Sequence, residues 1–252
     1  MKLKKLALNK EKKIWPIYDL TISVNLPEGA IDREQLLSQQ KKENKNGVVK
    51  TSKDKPVFLC DPTFKDAYDR MKRGPASIIE KDVGMIIALI GLTKNSVILE
   101  AGSGMGALTA QLAALCKHVY SYEIHEKHLK IAKDNVAMLD LDNITFVCDD
   151  VTTTTQLPEK KVDAAIFDLP NPQTALATAK KVLKDGGYLV FYTPQITQAQ
   201  EVFKSLGEEF KYLTTLELIQ RRWEIDDKVL RPKHSMLGHT AFLTVIRYFS
   251  MK

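Results

Sequence analysis

A glycine-rich turn between an apolar strand and a helix-like run constrains this 252-residue chain more than any other feature. The stretch reads LEAGSGMGALTAQLA, and its glycines occupy the alternate positions 102, 104 and 106. Because glycine lacks a Cβ atom, a ligand can approach such a backbone closely. Turns of this kind follow the first strand of nucleotide-binding α/β units. The turn therefore predicts an α/β sheet that holds a charged small molecule.

Strand-like and helix-like segments alternate from about residue 73 onward. Apolar residues between Ile78 and Ile90 recur at helical spacing, and Gly91 supplies a stop signal. The alternation predicts a doubly wound, mostly parallel sheet, with the last two strands as an antiparallel hairpin. Strands are expected in SVILEAG, HVYSYEI, ITFVCDD, VDAAIFDLP, GGYLVFYTP, Tyr212–Ile219 and AFLTVIRYF, and helices at Ala107–Leu115, Lys127–Leu139, Thr174–Leu183 and Ile196–Leu206.

The first 72 residues have a different pattern, short strand-like segments interrupted by polar residues, which predicts a small, basic, β-rich domain. YDLTISVNL and GVVKTSKDKPVFLCDP read as strand segments, and the polar SQQKKENKNG between them reads as a flexible basic loop. Residues 1–60 carry 13 of the 37 Lys and Arg but only 7 of the 31 Asp and Glu. Such an excess is typical either of a solvated tail or of a surface that attracts phosphate groups.

Composition excludes several classes of protein. No apolar run approaches the roughly 18–20 residues of a membrane span, and the N-terminal stretch does not read as a signal peptide. Cys60, Cys116 and Cys148 occur singly, without the spacing of a zinc site or a disulfide framework. We therefore expect a cytoplasmic protein that neither contacts a membrane nor binds a metal.

Acidic residues end three successive predicted strands and indicate which cofactor the glycine turn holds. Gly102, Gly104 and Ala107 also satisfy the dinucleotide fingerprint, so the glycines alone leave both cofactor classes open. Glu100 would repel a pyrophosphate, whereas it would attract the ammonium group of S-adenosylmethionine. Glu123 is placed for ribose hydroxyls and Asp150 for an adenine amino group. This combination predicts a class I methyltransferase of Rossmann-like fold.

The next predicted strand ends in DLPNP, and Asp168 is expected beside the methyl group of the cofactor. Methyltransferases that act on exocyclic base nitrogens have a polar residue followed by Pro-Pro-aromatic at this place. The chain has Asp-Leu-Pro-Asn-Pro instead. Asp168 is therefore the candidate catalytic residue, in a motif that differs from that of methyltransferases acting on exocyclic base nitrogens.

The chain resembles the tRNA adenine-N1 methyltransferases of the TrmI type, which form 1-methyladenosine in the T-loop. The resemblance covers roughly residues 45–249 and is carried by KRGPASIIEKD, ILEAGSGMGALT, DLPNP, LKDGGYLVFYTPQITQ and, most specifically, RPKHSMLGHTAFLTVIR. It implies a small N-terminal β-domain at 1–72, a methyltransferase domain at 73–252 and a homotetramer. It also implies methylation of adenine 58 of tRNA, and possibly of adenine 57.

The resemblance also implies roles for individual residues. Asp168 would be catalytic and would face the acceptor base. Because the target base must leave its stack, RNA shape and phosphates must supply binding energy. The candidate tRNA contacts are the basic N-terminal segment with Lys41, Lys42, Lys45, Lys50, Lys53 and Lys55, and the C-terminal Arg221, Arg222, Trp223, Arg231 and His239. The residues expected to bind S-adenosylmethionine are Glu100, Gly102, Ser103, Gly104, Gly106, Ala107, Glu123, His128, Asp150 and Asp168.

Three alternatives share parts of this pattern. A protein methyltransferase acting on isoaspartyl residues has the same core, a non-catalytic RNA-binding subunit can have the same fold, and a dinucleotide oxidoreductase has a similar turn. The chain also departs from the family, which commonly has Gln and Tyr within the segment written here PASIIEKD. Near Asn171 and Gln173 the family often has an acid and then an aromatic residue.

Overall fold

The chain divides into two compact units. The computed structural model describes residues 2–40, 46–74, 77–158 and 160–250. The first unit comprises Met1–Lys72 and Ala137–Asp140, and the second comprises Arg73–Val136 and Leu141–Lys252. A membrane crossing would need a longer or more apolar helix than any in the described part of the chain.

Short antiparallel strands build the first unit. Its described elements are β1 (Lys5–Leu8), β2 (Ile14–Ile17), β3 (Val24–Leu26), β4 (Gly29–Ile31), α1 (Arg33–Gln40), β5 (Gly47–Lys50), β6 (Pro56–Cys60) and α2 (Phe64–Tyr68). One sheet has the order β2-β1-β6-β5, and β3 pairs with β4 separately. Buried Ile17, Ile31, Leu36 and Leu59 form the core of this unit.

Two expectations for this unit are wrong in detail. Only Val24–Leu26 of YDLTISVNL is a strand, because the Asp19 carboxylate accepts the N–H of Thr21 at 2.8 Å and turns the chain. Residues 38–40, at the start of the expected loop SQQKKENKNG, are instead the last residues of helix α1. The buried Leu36 gives this helix an apolar contact that outweighs its polar composition. Lys41, Lys42 and Lys45 lie outside the described residues.

The second unit alternates strands and helices as the sequence predicts. Its elements are α3 (Glu80–Leu89), β7 (Val97–Ala101), α4 (Ala107–Ala113), β8 (His118–Tyr122), α5 (Glu126–Met138), β9 (Ile144–Val147), β10 (Val162–Phe167), a 3-10 turn (Pro172–Ala175), α6 (Leu176–Val182), β11 (Leu183–Thr193), α7 (Ile196–Lys204), β12 (Phe210–Glu217), β13 (Trp223–Ile225), β14 (Leu230–Pro232) and β15 (Phe242–Tyr248).

Seven strands form the central sheet, in the order β12-β15-β11-β10-β7-β8-β9. Neighbouring strands from β11 to β9 are parallel, and β15 is antiparallel to both β11 and β12. The strands are buried on both faces: Leu99 and Phe167 belong to one apolar cluster, and Ile98 and Ile166 belong to the other. Such strands read as nearly continuous apolar runs, as here.

Two details of this unit differ from the prediction. β12 and β15 pair antiparallel but are not joined by a tight turn, because residues 218–241 connect them and contain the separate β13–β14 pair. The helix expected from Thr174 begins as the 3-10 turn, because Pro172 lies at its start, and Leu183 belongs to β11 rather than to the helix.

The strand order reverses between β7 and β10, and a ligand is expected to bind at this point of the sheet. β7 pairs with β8 on one side and with β10 on the other, while the chain visits β8 and β9 before it reaches β10. The carboxyl ends of β7 and β10 therefore border a crevice, where open α/β sheets bind their ligands.

Candidate active site

A cleft opens at the carboxyl ends of β7, β8, β9 and β10. It contains six of the residues predicted from the sequence to bind the cofactor, whereas Glu100, Ser103, Gly106 and Ala107 lie outside its lining. The lining residues are Ala101, Gly102, Gly104, Tyr122, Glu123, Ile124, His125, His128, Asp149, Asp150, Val151, Asp168, Leu169 and Pro170.

The glycine turn brings two strand ends into close contact. Gly102 has φ of +97°, and a Cβ atom there would lie 2.3 Å from the carbonyl oxygen of Asp168. Gly106 has φ of +82°, and a Cβ atom there would lie 3.1 Å from Ala132. Any larger residue would meet both steric clash and backbone strain. The glycines thus position Asp168 against the turn, in addition to allowing a ligand to approach.

The remaining predicted residues of the turn support its conformation. The Ser103 hydroxyl lies 2.6 Å from the Ser121 hydroxyl and donates to the Tyr122 carbonyl oxygen at 3.1 Å. Ala107 is the first residue of α4 and is buried. These contacts stabilise the turn on the side away from the cleft. Ser103 and Ala107 therefore influence the shape of the cleft only through the position of the turn backbone.

Glu123 follows β8 and presents its carboxylate to the cleft. The carboxylate accepts the N–H of Gly104 at 2.9 Å and the N–H of His125 at 3.0 Å. His128 Nδ1 lies 3.8 Å from it. Ligand atoms of Glu123, His125 and His128 lie within 4.8 Å of one another, a spacing that a cation can use. The two backbone N–H groups already stabilise the charge of this carboxylate.

Glu100, at the end of β7, is almost completely buried, with 2% of its surface exposed. Its carboxylate accepts the Thr109 hydroxyl at 2.5 Å and the Ser121 hydroxyl at 2.9 Å. Burial raises the pKa of Glu100 to about 7, against the lowering effect of these two hydrogen bonds. The group therefore exchanges a proton near neutral pH.

Asp168, directly after β10, differs from the other acids because its carboxylate has no hydrogen-bond or ion-pair partner in the described part of the chain. Its backbone N–H donates to the Ala101 carbonyl oxygen at 2.9 Å, which fixes its position at the strand end. Burial raises the pKa of Asp168 to about 6, and the nearby charge of Glu123 adds to the effect. A desolvated, unpartnered carboxylate in a cleft is typical of a functional residue.

Two acids follow β9 where the sequence analysis selected one. Asp150 lines the cleft, and its Oδ1 also accepts the N–H and hydroxyl of Thr152, at 2.8 and 2.7 Å. Asp149 also lines the cleft and accepts the N–H of Asp150 at 2.8 Å. The adjacent acids in VCDDV were a signal for Asp149, but the sequence does not determine which side chain faces the ligand.

Three of the predicted tRNA contacts lie apart from this cleft. Arg222 lines a second cleft, while Arg231 pairs with Glu224 at 2.9 Å and contacts His234. His239 bridges two strand ends, with Nδ1 at 2.5 Å from Glu217 and Nε2 at 2.7 Å from the Pro194 carbonyl oxygen.

A buried polar cluster that was not predicted from the sequence lies at the start of α3. Asp82 is fully buried and accepts from the ammonium of Lys81 at 2.7 Å and from the Thr240 hydroxyl at 2.7 Å. The Tyr192 hydroxyl donates to Asp82 at 3.4 Å. Burial raises the pKa of Tyr192, with Asp82 and Asp168 adding to the effect. The charged residues Glu80, Lys81 and Asp82 at the start of an otherwise apolar helix were the available signal.

Comparison with known proteins decides the family. Residues 75–233 match the model of the family described as the tRNA methyltransferase complex GCD14 subunit. The chain is 34% identical to the tRNA (adenine(57)-N(1)/adenine(58)-N(1))-methyltransferase TrmI of Methanocaldococcus jannaschii, covering 82% of this chain and 84% of that protein. It is 33% identical to the tRNA (adenine(58)-N(1))-methyltransferase TrmI of Thermus thermophilus, covering 87% and 86%.

The chain belongs to the TrmI/GCD14 family of tRNA methyltransferases. The predicted class I methyltransferase fold is confirmed by solved structures. One is an S-adenosylmethionine-dependent O-methyltransferase of Thermotoga maritima (TM-score 0.79, 25% identity, 99% of this chain and 94% of that one). Another is TrmI of Aquifex aeolicus (TM-score 0.75, 24% identity, 100% and 99%). S-adenosylmethionine is accordingly the cofactor of this family member, as predicted.

Proposed function

We propose that this TrmI family member transfers a methyl group from S-adenosylmethionine to N1 of adenine 58 in the T-loop of tRNA, with adenine 57 as a second candidate. The names of the relatives support the tRNA and the atom, and both positions appear in the name of the M. jannaschii protein. The observation that carries the proposal is the unpartnered carboxylate of Asp168, held against the glycine turn at the end of β10.

The chemistry of the cleft fits this cofactor. Acidic groups at neighbouring strand ends suit a molecule with an ammonium group, ribose hydroxyls and an adenine amino group. We assign the methionine part to the turn from Glu100 to Gly106, the ribose to Glu123 with His128 beside it, and the adenine to Asp150. When bound, the cofactor supplies an electrophilic methyl group on a sulfonium centre.

Asp168 has a defined electrostatic role in the transfer. Adenine N1 carries an in-plane lone pair, so the attack needs no prior loss of a proton. Positive charge then develops on the adenine ring, and the Asp168 carboxylate, accepting from the 6-amino group, stabilises it more in the transition state than in the ground state. Burial strengthens this interaction because little solvent screens it.

The target base must leave its stack before N1 becomes accessible, so contacts to the rest of the RNA supply binding energy. We assign residues 1–72 to a tRNA-binding domain and residues 73–252 to the methyltransferase domain. In the first domain Lys50 pairs with Asp54 at 2.8 Å, and Lys50, Lys53 and Lys55 are exposed in one short segment. A surface ion pair of this kind is weak enough to be exchanged for a phosphate. Such a function places the protein in the cytoplasm.

We also propose a homo-oligomer, in keeping with the resemblance to a tetrameric family. Trp223, Ile225 and Leu230 are 54, 76 and 75% exposed on the two-stranded β13–β14 unit. Three large apolar side chains on one small hairpin are typical of a surface that another subunit covers. The variant Ile225→Lys/Leu230→Lys is expected to lower the mass found by light scattering, and an unchanged mass would exclude the hairpin from the interface.

One experiment tests the proposed activity directly. An unmodified tRNA transcript is incubated with the protein and S-adenosylmethionine, digested to nucleosides and examined by mass spectrometry. We expect 1-methyladenosine with the wild-type transcript and a strong reduction when adenine 58 is replaced by guanosine. Methylation retained after that change would reassign the position, and an RNA without any methyl group would overturn the proposal.

The same protein preparation separates the alternatives. Methylation of an isoaspartyl peptide in place of tRNA would indicate a protein methyltransferase. Tight tRNA binding without cofactor binding in calorimetry would indicate a non-catalytic subunit. The presence of Glu100, Glu123, Asp150 and Asp168 favours the enzyme, since a non-catalytic subunit needs none of them.

A further inference from the structure

A second cleft in the methyltransferase unit has the composition of a nucleotide-binding site. Three basic side chains line it, Lys81, Arg222 and Lys233, together with apolar Ile79, Met236 and Leu237. None of its described lining residues is acidic. We call it the basic cleft.

Charge in the basic cleft is largely uncompensated. The Lys81 ammonium already binds Asp82 and Thr240, both at 2.7 Å. Within the described residues, the side chains of Arg222 and Lys233 have neither an ion-pair nor a hydrogen-bond partner. Arg231, nearby on the same hairpin, does have one, Glu224 at 2.9 Å. The two free cations therefore face the cleft with their full charge.

Backbone geometry keeps these two cations close together. The N–H of Lys233 donates to the carbonyl oxygen of Arg222 at 2.9 Å, directly beyond the Trp223–Pro232 pair of the hairpin. Like charges at neighbouring cross-strand positions repel each other and destabilise the pairing. An anion between them converts this repulsion into two charge-assisted hydrogen bonds.

Apolar surface lies next to the cations. Met236 and Leu237 are 45 and 60% exposed, although both are large apolar side chains. A nucleotide offers matching chemistry, with an anionic phosphate at one end and an apolar base face at the other. A free inorganic anion would use the cations but would leave this apolar surface in water.

We propose that the basic cleft binds one nucleotide of the RNA substrate, with its phosphate between Arg222 and Lys233 and its base against Met236 and Leu237. This inference rests on the proposed function and identifies where RNA beside the methylated adenine is held. Lys81 in the cleft wall binds Asp82, and Asp82 accepts from the Tyr192 hydroxyl at 3.4 Å. Tyr192 lies on β11, one residue beyond the Phe167–Phe191 pair, and Asp168 is one residue beyond the same pair on β10. The wall of the basic cleft is thus connected to the strand beside Asp168.

Affinity for an unmodified tRNA transcript, measured over a series of KCl concentrations, tests the inference. Arg222→Ala and Lys233→Ala are compared with Lys228→Ala, which removes the same charge from the same hairpin outside the cleft. We expect each cleft variant to bind at least about 10-fold more weakly, since a charge-assisted hydrogen bond is removed. The salt slope is expected to fall by roughly 0.7, the value for one phosphate contact to a single strand.

A double variant and an apolar variant sharpen the test. If both cations hold one phosphate, Arg222→Ala/Lys233→Ala is expected to weaken binding by less than the product of the single effects. Met236→Ser/Leu237→Ser is expected to weaken binding without changing the salt slope. Unchanged S-adenosylmethionine affinity, circular dichroism and mass by light scattering show that fold and assembly are intact.

Two outcomes overturn the inference. One is cleft variants that match Lys228→Ala in affinity and slope, and the other is a loss of affinity that appears only together with a loss of oligomeric mass. Either result leaves the proposed function standing if the wild-type protein forms 1-methyladenosine. Absence of 1-methyladenosine with the wild-type protein would instead contradict the proposed function itself.

Discussion

The carboxylates that we assign to the cofactor (the donor side) and the one that we assign to the acceptor base (the acceptor side) have different surroundings. On the donor side, Glu100 accepts two hydroxyl groups and Glu123 accepts two backbone N–H groups. On the acceptor side, the Asp168 carboxylate has no partner among the described residues, although burial raises its pKa to about 6.

This difference suits the two functions that we assign to these carboxylates, cofactor binding and stabilisation of the charge that develops during methyl transfer. A group that binds a cofactor benefits from a fixed orientation, which local donors provide. A group that stabilises charge developing only during the reaction keeps its strongest interaction for the transition state, and an existing hydrogen bond would weaken that interaction. The cost is a desolvated charge in the resting enzyme, a common conflict between stability and function.

Removing the Asp168 carboxylate is expected to have the largest effect. Asp168→Ala is expected to lower the rate of methyl transfer by about 10²–10³-fold, the range for losing one preorganised electrostatic contact. Affinity for S-adenosylmethionine, measured by calorimetry, is expected to stay within a few-fold of wild type. If binding of the cofactor falls as steeply as the rate, Asp168 belongs to the donor side and the comparison fails.

Glu100→Gln keeps the shape of the donor side but removes its charge. Affinity for S-adenosylmethionine is expected to fall by about 10- to 100-fold, since the buried charge that attracts the ammonium group from beneath the glycine turn is lost. Because the pKa of Glu100 is about 7 and a cation lowers it, wild-type affinity is expected to rise with pH across neutrality, with proton release on binding. Calorimetry in buffers of different ionisation enthalpy measures that release. Equal affinity and equal proton counts in both proteins would make Glu100 a purely structural acid.

Much of the fold and of the cleft was predictable because it depends on local pattern. The strand–turn–helix unit from β7 to α4, the acids after β8 and β9, and Asp168 after β10 all lie where parallel strands end at one edge of the sheet. The glycine turn was predictable as a ligand site. Its second role, avoiding a clash between Gly102 and the Asp168 carbonyl, depends on a strand 66 residues further along the chain.

Features that depend on distant partners were not predictable. The protonation of Glu100 is determined by complete burial and by Thr109 and Ser121, and no local motif encodes that environment. The position of residues 218–241 depends on the pairing of β15 between β11 and β12. For this reason Arg222, Arg231 and His239, close in sequence, have three different environments.

The acceptor side is also expected to respond to pH. The proposed role of Asp168 requires its carboxylate form. The rate of methyl transfer at saturating cofactor and tRNA is therefore expected to be constant above the pKa of Asp168 in the complex, which the positive charge of the cofactor lowers from about 6 in the free protein. Below that pH the rate is expected to fall by about tenfold per unit as the group is protonated. Saturation separates this effect from the titration of Glu100, which changes cofactor affinity instead. A rate that shows no decline at acidic pH in rapid-quench measurements would remove Asp168 from the charge-stabilising role.

The smallest expected effect lies at His239, which joins the ends of β11 and β12. The hydrogen bond to Glu217, together with the Pro194 carbonyl, raises the pKa of His239 above its usual 6.5. The protonated ring then joins the ends of β11 and β12, so its contribution to stability is complete below the unfolded-state pKa and is lost as pH rises through the folded-state pKa. In Glu217→Gln the His239 pKa, followed by NMR, is expected to fall toward its ordinary value, because the hydrogen bond to Glu217 is the main cause of its rise. His118, whose pKa is lowered by burial, serves as the internal control and is expected not to change. A His239 pKa that is the same in both proteins would show that Glu217 does not hold the proton there, and the link between the two strand ends would then depend on the Pro194 carbonyl alone.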